Sequence, residues 1–336
     1  MRRCFIHIGT HKTGTTSIQH MLYRNRPALL ERGYFYPQAG CPEMLPGQHN
    51  LAWEISGDRR YQDRYGTIDD LIREVKDRSD DVILSSEDFE CSLYNTSKFS
   101  SFISLLHSCG FLITVIPYVR NQIDYLPRIY LTLLLFGLDL PFARVLGQTL
   151  DKGEFRWREW IFNFDYCDVL TRIGKTENVN VVVRSYEQAR MSVCSDFLSI
   201  FNLTLRDLHV DEELFENVSL PLRDYLLMFL HNRMGRKLLE SEERVVNNLV
   251  SQKASRVELS PVVRLDLFQR FRETNRNLFI QYGIPEPKLG DISGVQDCSD
   301  MYIDELFSEN IEACLPNDPT AEQQPQAENG ERWLAE

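Results

Sequence analysis

Apolar residues fall in two rhythms along this chain. Short unbroken apolar runs end abruptly in polar positions: Cys4-Phe5-Ile6-His7-Ile8, Val82-Ile83-Leu84, Phe111 to Ile116 and Val179 to Val183. Such runs predict strands buried on both faces of a parallel sheet. Between them apolar residues recur at every third or fourth position: Ile18, Met21 and Leu22; Leu71, Ile72 and Val75; Phe99, Phe102, Ile103 and Leu106. That spacing predicts amphipathic helices, and the alternation of the two rhythms predicts an α/β fold. Helices are expected over 27–33, about 50–55, 68–78, 97–108, 155–168, 196–201, 222–233, 242–251 and 260–282. The last is bounded by Ser260-Pro261 and Gly283. Residues 38–66 are otherwise expected to be loop. The aromatic positions Trp157, Trp160, Phe164 and Tyr166 are read as core of the helix over 155–168.

The first strand breaks at Gly9 into Thr10-His11-Lys12-Thr13-Gly14-Thr15-Thr16-Ser17, and a helical pattern follows from Ile18. Glycines let a backbone curl around an anion, and the first-turn N–H groups of the following helix point into the same cup. The loop therefore reads as a phosphate cradle, with a plain glycine turn and a solvated lysine as the alternative. Gly9-x4-Gly14 has the spacing of the nucleoside-triphosphate P-loop, but there a lysine follows the second glycine. Here Thr15 and Thr16 follow it and the lysine lies inside the loop, at Lys12. A lysine so placed suits the bridging oxygen of a two-group anion better than a γ-phosphate, which argues against ordinary ATP hydrolysis.

The run Thr10 to Thr16 resembles the 5′-phosphosulfate loop of sulfotransferases that use 3′-phosphoadenosine 5′-phosphosulfate (PAPS). The resemblance covers about residues 4–200. It implies a P-loop NTPase-like three-layer fold, with a central parallel sheet flanked by helices, and a PAPS site made by Thr10, His11, Lys12, Thr13, Gly14, Thr15, Thr16 and Ser17. In that family the second core strand ends in the general base. Glu87, after Val82-Ile83-Leu84-Ser85-Ser86, matches it; the alternatives for Glu87 or Asp88 are a helix cap or a magnesium ligand. The family's 3′-phosphate segment has an arginine at a strand end and a serine eight residues on. Arg120 matches the first, and Arg128 stands where the serine would be. Tyr186-Glu187 matches a Tyr-Glu pair whose tyrosine lies near adenine. Ser17 replaces a tryptophan common in cytosolic members, and their glycine-rich basic closing segment is missing, which points to a bacterial or carbohydrate-type branch. The implied activity is sulfuryl transfer from PAPS to an acceptor hydroxyl on a carbohydrate or glycolipid, with Lys12 and Glu87 catalytic and no metal. Rivals from other classes are a deviant P-loop kinase or NTPase using magnesium, and a silent binding protein. His49 is read as a surface hydrogen-bonder, with an acid/base or substrate role as the alternative.

Composition adds boundaries. Of 336 residues 43% are apolar, enough for a substantial core, and the net charge is −12. That charge is concentrated: 13 of the 49 acidic but only 2 of the 37 basic residues lie in 286–336, leaving 36 against 35 before them. The expected organisation is a sulfotransferase-like domain over 1–285, with a PAPS-binding core to about 200 and a helical acceptor-side part over 201–285. An acidic tail over 286–336 follows, expected to be disordered from about 316, where Pro, Gln, Glu and Asn dominate. No basic face argues for nucleic acid. Eight cysteines without CxxC spacing read as reduced thiols. No leader-like segment precedes Cys4, and the run from Ile129 to Leu140 is shorter than the ~20 residues a membrane span needs. A cytoplasmic protein is expected.

Overall fold

The computed structural model describes residues 2–43, 45–176, 178–208, 220–250, 258–286 and 302–315. Strand β1 (Arg2–His7) runs through the glycine loop into α1 (Thr15–Arg24), then α2 (Arg26–Glu31) and β2 (Tyr34–Phe35). Helices α3 (His49–Ser56) and α4 (Ile68–Val75) precede β3 (Asp81–Ser85). Helices α5 (Phe89–Ser92) and α6 (Thr96–Ser108) then lead to β4 (Phe111–Ile116) and β5 (Tyr118–Val119). Next come α7 (Gln122–Leu135), α8 (Phe142–Lys152), β6 (Glu154–Trp157), β7 (Trp160–Asn163), α9 (Tyr166–Gly174) and β8 (Val179–Val181). The remainder is β9 (Arg184–Ser185), α10 (Tyr186–Ala189), α11 (Val193–Ser199), α12 (Leu222–Met234), α13 (Glu240–Leu249), α14 (Pro261–Tyr282) and α15 (Ile303–Leu306).

The described residues group into two compact units. The first draws on Met1–Asn121, Glu154–Glu216 and Glu273–Glu286; the second on Gln122–Gly153, Asn217–Arg272 and Pro287–Glu336. In the first unit five strands form a parallel sheet in the order β2-β3-β1-β4-β8. β1 is central, with Cys4 opposite Val82 on one side and Ile113 on the other. Both faces are covered, because neighbouring residues of a strand point to opposite sides. Cys4 and Ile6 join Val75, Phe102, Leu106 and Ile173 in one apolar layer. Phe5 joins Ile18, Leu22, Leu29 and Phe197 in the other. This is the expected α/β class: a central parallel sheet between two helical layers. Each fully buried Leu, Ile or Phe contributes about 1.5–3 kcal/mol, so both layers hold the strand ends in place.

Local signals set the helix ends. Thr67 and Asp70 form a reciprocal capping box at α4, Asn95 caps α6, and the Ser260 hydroxyl accepts from the Val263 amide at the start of α14. One element departs from expectation. Residues 154–163 form an antiparallel hairpin, β6 paired with β7, and the helix starts only at Tyr166. Phe155 and Phe162 are buried and paired across the strands, while Arg158 takes a left-handed φ of 54° at the turn. The aromatic spacing at Phe155, Trp157, Trp160, Phe162 and Phe164 is that of strands as well as of a helix, and the turn decides between them.

In the second unit Tyr130 of α7 packs against Phe142, Phe229 and Phe307, and the Asn232 amide donates to the carbonyls of Leu134 and Leu138. No described helix is long and apolar enough to cross a membrane. The seven described cysteines are free thiols. The expected disordered stretch from 316 lies outside the described residues.

Candidate functional site

The parallel sheet of the first unit delivers the ends of β1 and β3 to one edge. In open α/β sheets ligands bind at this carboxyl edge. From β1 the chain enters the loop, whose backbone is unusual: φ is 46° at Gly9, 63° at Lys12 and 79° at Gly14. A Cβ on Gly9 would lie 2.5 Å from the Thr15 methyl, so no larger residue fits there without displacement. The Thr10 amide and hydroxyl both donate to the Tyr118 carbonyl at 3.0 Å, and the buried Thr13 hydroxyl donates to the Thr10 carbonyl. Gly14 caps α1, and the Thr15 and Thr16 amides sit in its first turn, where an N–H has no acceptor within the helix. Thr15 is buried, Thr16 and Ser17 are half-buried, and Lys12 is exposed. The loop is thus held by its own main chain, by the Thr10 and Thr13 hydroxyls and by β5.

Arg120, just past β5, donates from Nη1 to the Lys12 carbonyl. Its guanidinium lies 4.6 Å from the centre of the Tyr186 ring. The next amide, that of Asn121, donates to Glu187 Oε1 at 2.7 Å, and the Tyr166 hydroxyl donates to the Arg120 carbonyl at 2.6 Å. Arg120, Tyr186 and Glu187 therefore stand together beside the loop. Arg128 is an exposed residue of α7, in the second unit.

After β3 comes the other half of the site. Glu87 Oε2 accepts from the Gln19 amide of α1 at 2.7 Å and lies 4.0 Å from His49 Nδ1, with its side chain 19% exposed. Gly47 makes this possible. A Cβ there would come within 2.7 Å of the Ser85 carbonyl, 2.8 Å of Gln19 Cδ and 2.9 Å of His49 Nε2. Asp88, beside Glu87, is buried and fully engaged: Oδ2 takes the Trp53 indole N–H at 2.9 Å and His49 at 3.1 Å, while Oδ1 takes Arg60 at 3.1 Å. Arg60 also forks onto Asp58 and lies between the rings of Trp53 and Trp160. Glu90 Oε1 accepts both the amide and side-chain N–H of Asn163, and Glu90 Oε2 faces His11 Nδ1 at 3.4 Å.

This packing fixes the charges. Burial alone would discharge His49 and His11, but the carboxylates outweigh it: Glu87 and Asp88 hold His49 above its ordinary value, and Asp88 and Glu90 push His11 up to about 10. His11 is therefore a cation at neutral pH, and His49 holds its proton more tightly than a free imidazole. Burial likewise favours a protonated Glu87, yet the positive charges of His49 and His11 hold it below the usual carboxylate range. For Asp88 burial is opposed first by Arg60 and then by the two histidines, which keep it well below that range. Glu87 is therefore ionised, partly open to solvent and able to accept a proton. His7 behaves oppositely. It is buried at the end of β1, where desolvation takes it down to about 4 against a smaller opposing pull from Glu87, and its Nδ1 shares a 2.7 Å bond with Ser85. Among the described residues no three His, Cys, Asp or Glu side chains are placed to hold a metal ion.

Asp58, Arg60, Trp53, Gln19, Gly47 and Asn163 carried no functional signal in the sequence. His49, expected at the surface, is buried at the start of α3. The adjacent acidic pair Glu87-Asp88 at a buried strand end was the available hint, because two carboxylates at one edge require cations nearby.

No protein-family model matches the chain. No curated protein matches it either. Among solved structures it is similar to a sulfotransferase from Alicyclobacillus acidocaldarius, at 14% identity over 85% of this chain and 97% of that one, with a TM-score of 0.42. A likeness that loose carries no argument about this site, whose chemistry rests on its own residues.

Proposed function

We propose that this chain transfers a sulfuryl group from PAPS to an acceptor hydroxyl on a carbohydrate or glycolipid. The observation that carries the reading is the pairing of a glycine loop bearing Lys12 with an ionised Glu87 that α1, the helix leaving that same loop, holds through Gln19. In this reading the amides and hydroxyls of Thr10 to Ser17 take the 5′-phosphosulfate, Arg120 takes the 3′-phosphate, and Tyr186 lies toward the adenine. The acceptor oxygen attacks sulfur and its proton passes to Glu87. The bond from sulfur to the bridging oxygen breaks, and Lys12 neutralises the charge left on the departing 3′-phosphoadenosine 5′-phosphate (PAP). No metal is assigned a role.

The magnesium reading needs Glu87 or Asp88 to face a cation. Asp88 already meets Arg60, His49 and the Trp53 indole, and its charge is balanced there. Titration with PAP and 5′-AMP, with and without magnesium, tests the assignment. PAP is expected to bind far more tightly than 5′-AMP without dependence on magnesium; equal affinities would remove the role given to Arg120.

A further inference from the structure

We infer that His11 is a positioning residue: its ring clips the anion loop onto Asp88 and Glu90, so the loop's grip on donor depends on carboxylates that never touch it. The inference rests on the donor reading above and deepens it. His11 immediately precedes Lys12, yet its ring meets the turn after β3 and β7. Nε2 lies 3.7 Å from Asp88 Oδ1, Nδ1 lies 3.4 Å from Glu90 Oε2, and the ring packs edge-on against Phe162 at 5.0 Å.

The receptor for that ring is rigid. Glu90 is fully buried and pinned by two bonds from Asn163 of β7, at 2.8 and 3.0 Å, while Asp88 is pinned from α3 by Trp53 and His49 and from the following loop by Arg60. The loop, by contrast, holds Lys12 in a left-handed conformation that a non-glycine residue keeps only when its surroundings over-determine it. The His11 clip and the bond from Arg120 to the Lys12 carbonyl are among the side-chain contacts that do so, with the hydroxyls of Thr10 and Thr13. The groups facing His11 are Asp88 and Glu90, with Glu87 also within its field, Phe162 from β7, and Arg60 beyond Asp88. Carboxylates dominate that set, and the imidazole keeps its proton up to about pH 10.

The test is calorimetric titration of PAP into the full chain, using His11→Gln and Glu90→Gln. Both variants are expected to bind PAP about tenfold more weakly at pH 7.5, since a loop displaced by a fraction of an ångström loses alignment with its ligand. Lys12→Arg, whose own cation does not titrate in this range, is expected to weaken further between pH 8 and 11, and the double variant with His11→Gln to lose that pH dependence. Affinities in both single variants within twofold of the unmodified chain would overturn the clip, as would an alkaline weakening that survives His11→Gln. Should His11→Gln not fold, Glu90→Gln and the Lys12→Arg titration decide alone. An unmodified chain that binds PAP no better than 5′-AMP defeats the donor reading itself; one that prefers PAP but ignores Glu90→Gln defeats only the clip.

Discussion

The two halves of the site are built on opposite principles. The loop from Gly9 to Thr16 is shaped by main-chain geometry, with three left-handed residues and amides left over at a helix start. The turn from Ser85 to Glu90 is shaped by side chains that arrive from α1, α3, the loop after it and β7. A backbone-built site tolerates loss of a side chain without collapse, because glycine conformation and amide direction persist. A side-chain network does not, since each buried charge is stable only while its partner stays.

Substitutions on either side sharpen that contrast. Lys12→Ala is expected to lower PAPS-dependent turnover roughly 10³-fold while leaving the melting temperature unchanged; a large drop in melting temperature would contradict the backbone-built loop. Asp88→Ala removes the buried carboxylate that Arg60, His49 and His11 share and is expected to cost about 4 kcal/mol, lowering the melting temperature by about 10 °C. An unchanged thermal midpoint would show that the network carries little of the fold. His7 tests the floor beneath the loop. Its folded value of about 4 lies below the ordinary 6.5, so the unfolded chain takes up a proton that the folded one refuses. Stability is therefore lost as pH falls from 6.5 to 4, by about 3 kcal/mol below both values, and urea unfolding of His7→Gln should show that much less loss over this window. Gly9→Ala, which forces a methyl against Thr15 at positive φ, is expected to cost about 2 kcal/mol and to weaken PAP binding, both readable in one thermal-shift series.

The same contrast explains what could be read from sequence. The cradle was legible because its determinants are contiguous: two glycines, a lysine and two threonines between a strand pattern and a helix pattern. Glu87 was legible as the polar end of a buried strand, and the parallel α/β class follows from the alternation of apolar rhythms, whereas the strand order β2-β3-β1-β4-β8 does not. Arg60 and Asn163 were not, because nothing near them in sequence tells an arginine before a short turn or an asparagine at a hairpin end that a carboxylate waits 28 or 73 positions away. The hairpin was misjudged for a related reason: five aromatic residues satisfy both periods, and the deciding feature is Arg158, whose identity does not announce a left-handed turn.

Lys12 pays a conformational penalty for where it sits. A left-handed φ of 63° costs a lysine on the order of 1 kcal/mol that glycine avoids. The ammonium that occupies this strained position is the group to which the proposed transfer assigns the charge on the departing oxygen. On the proposed function, Lys12→Gly is expected to give a chain sturdier than its parent and without turnover, a scaffold on which intact donor and acceptor could be held together long enough to be seen.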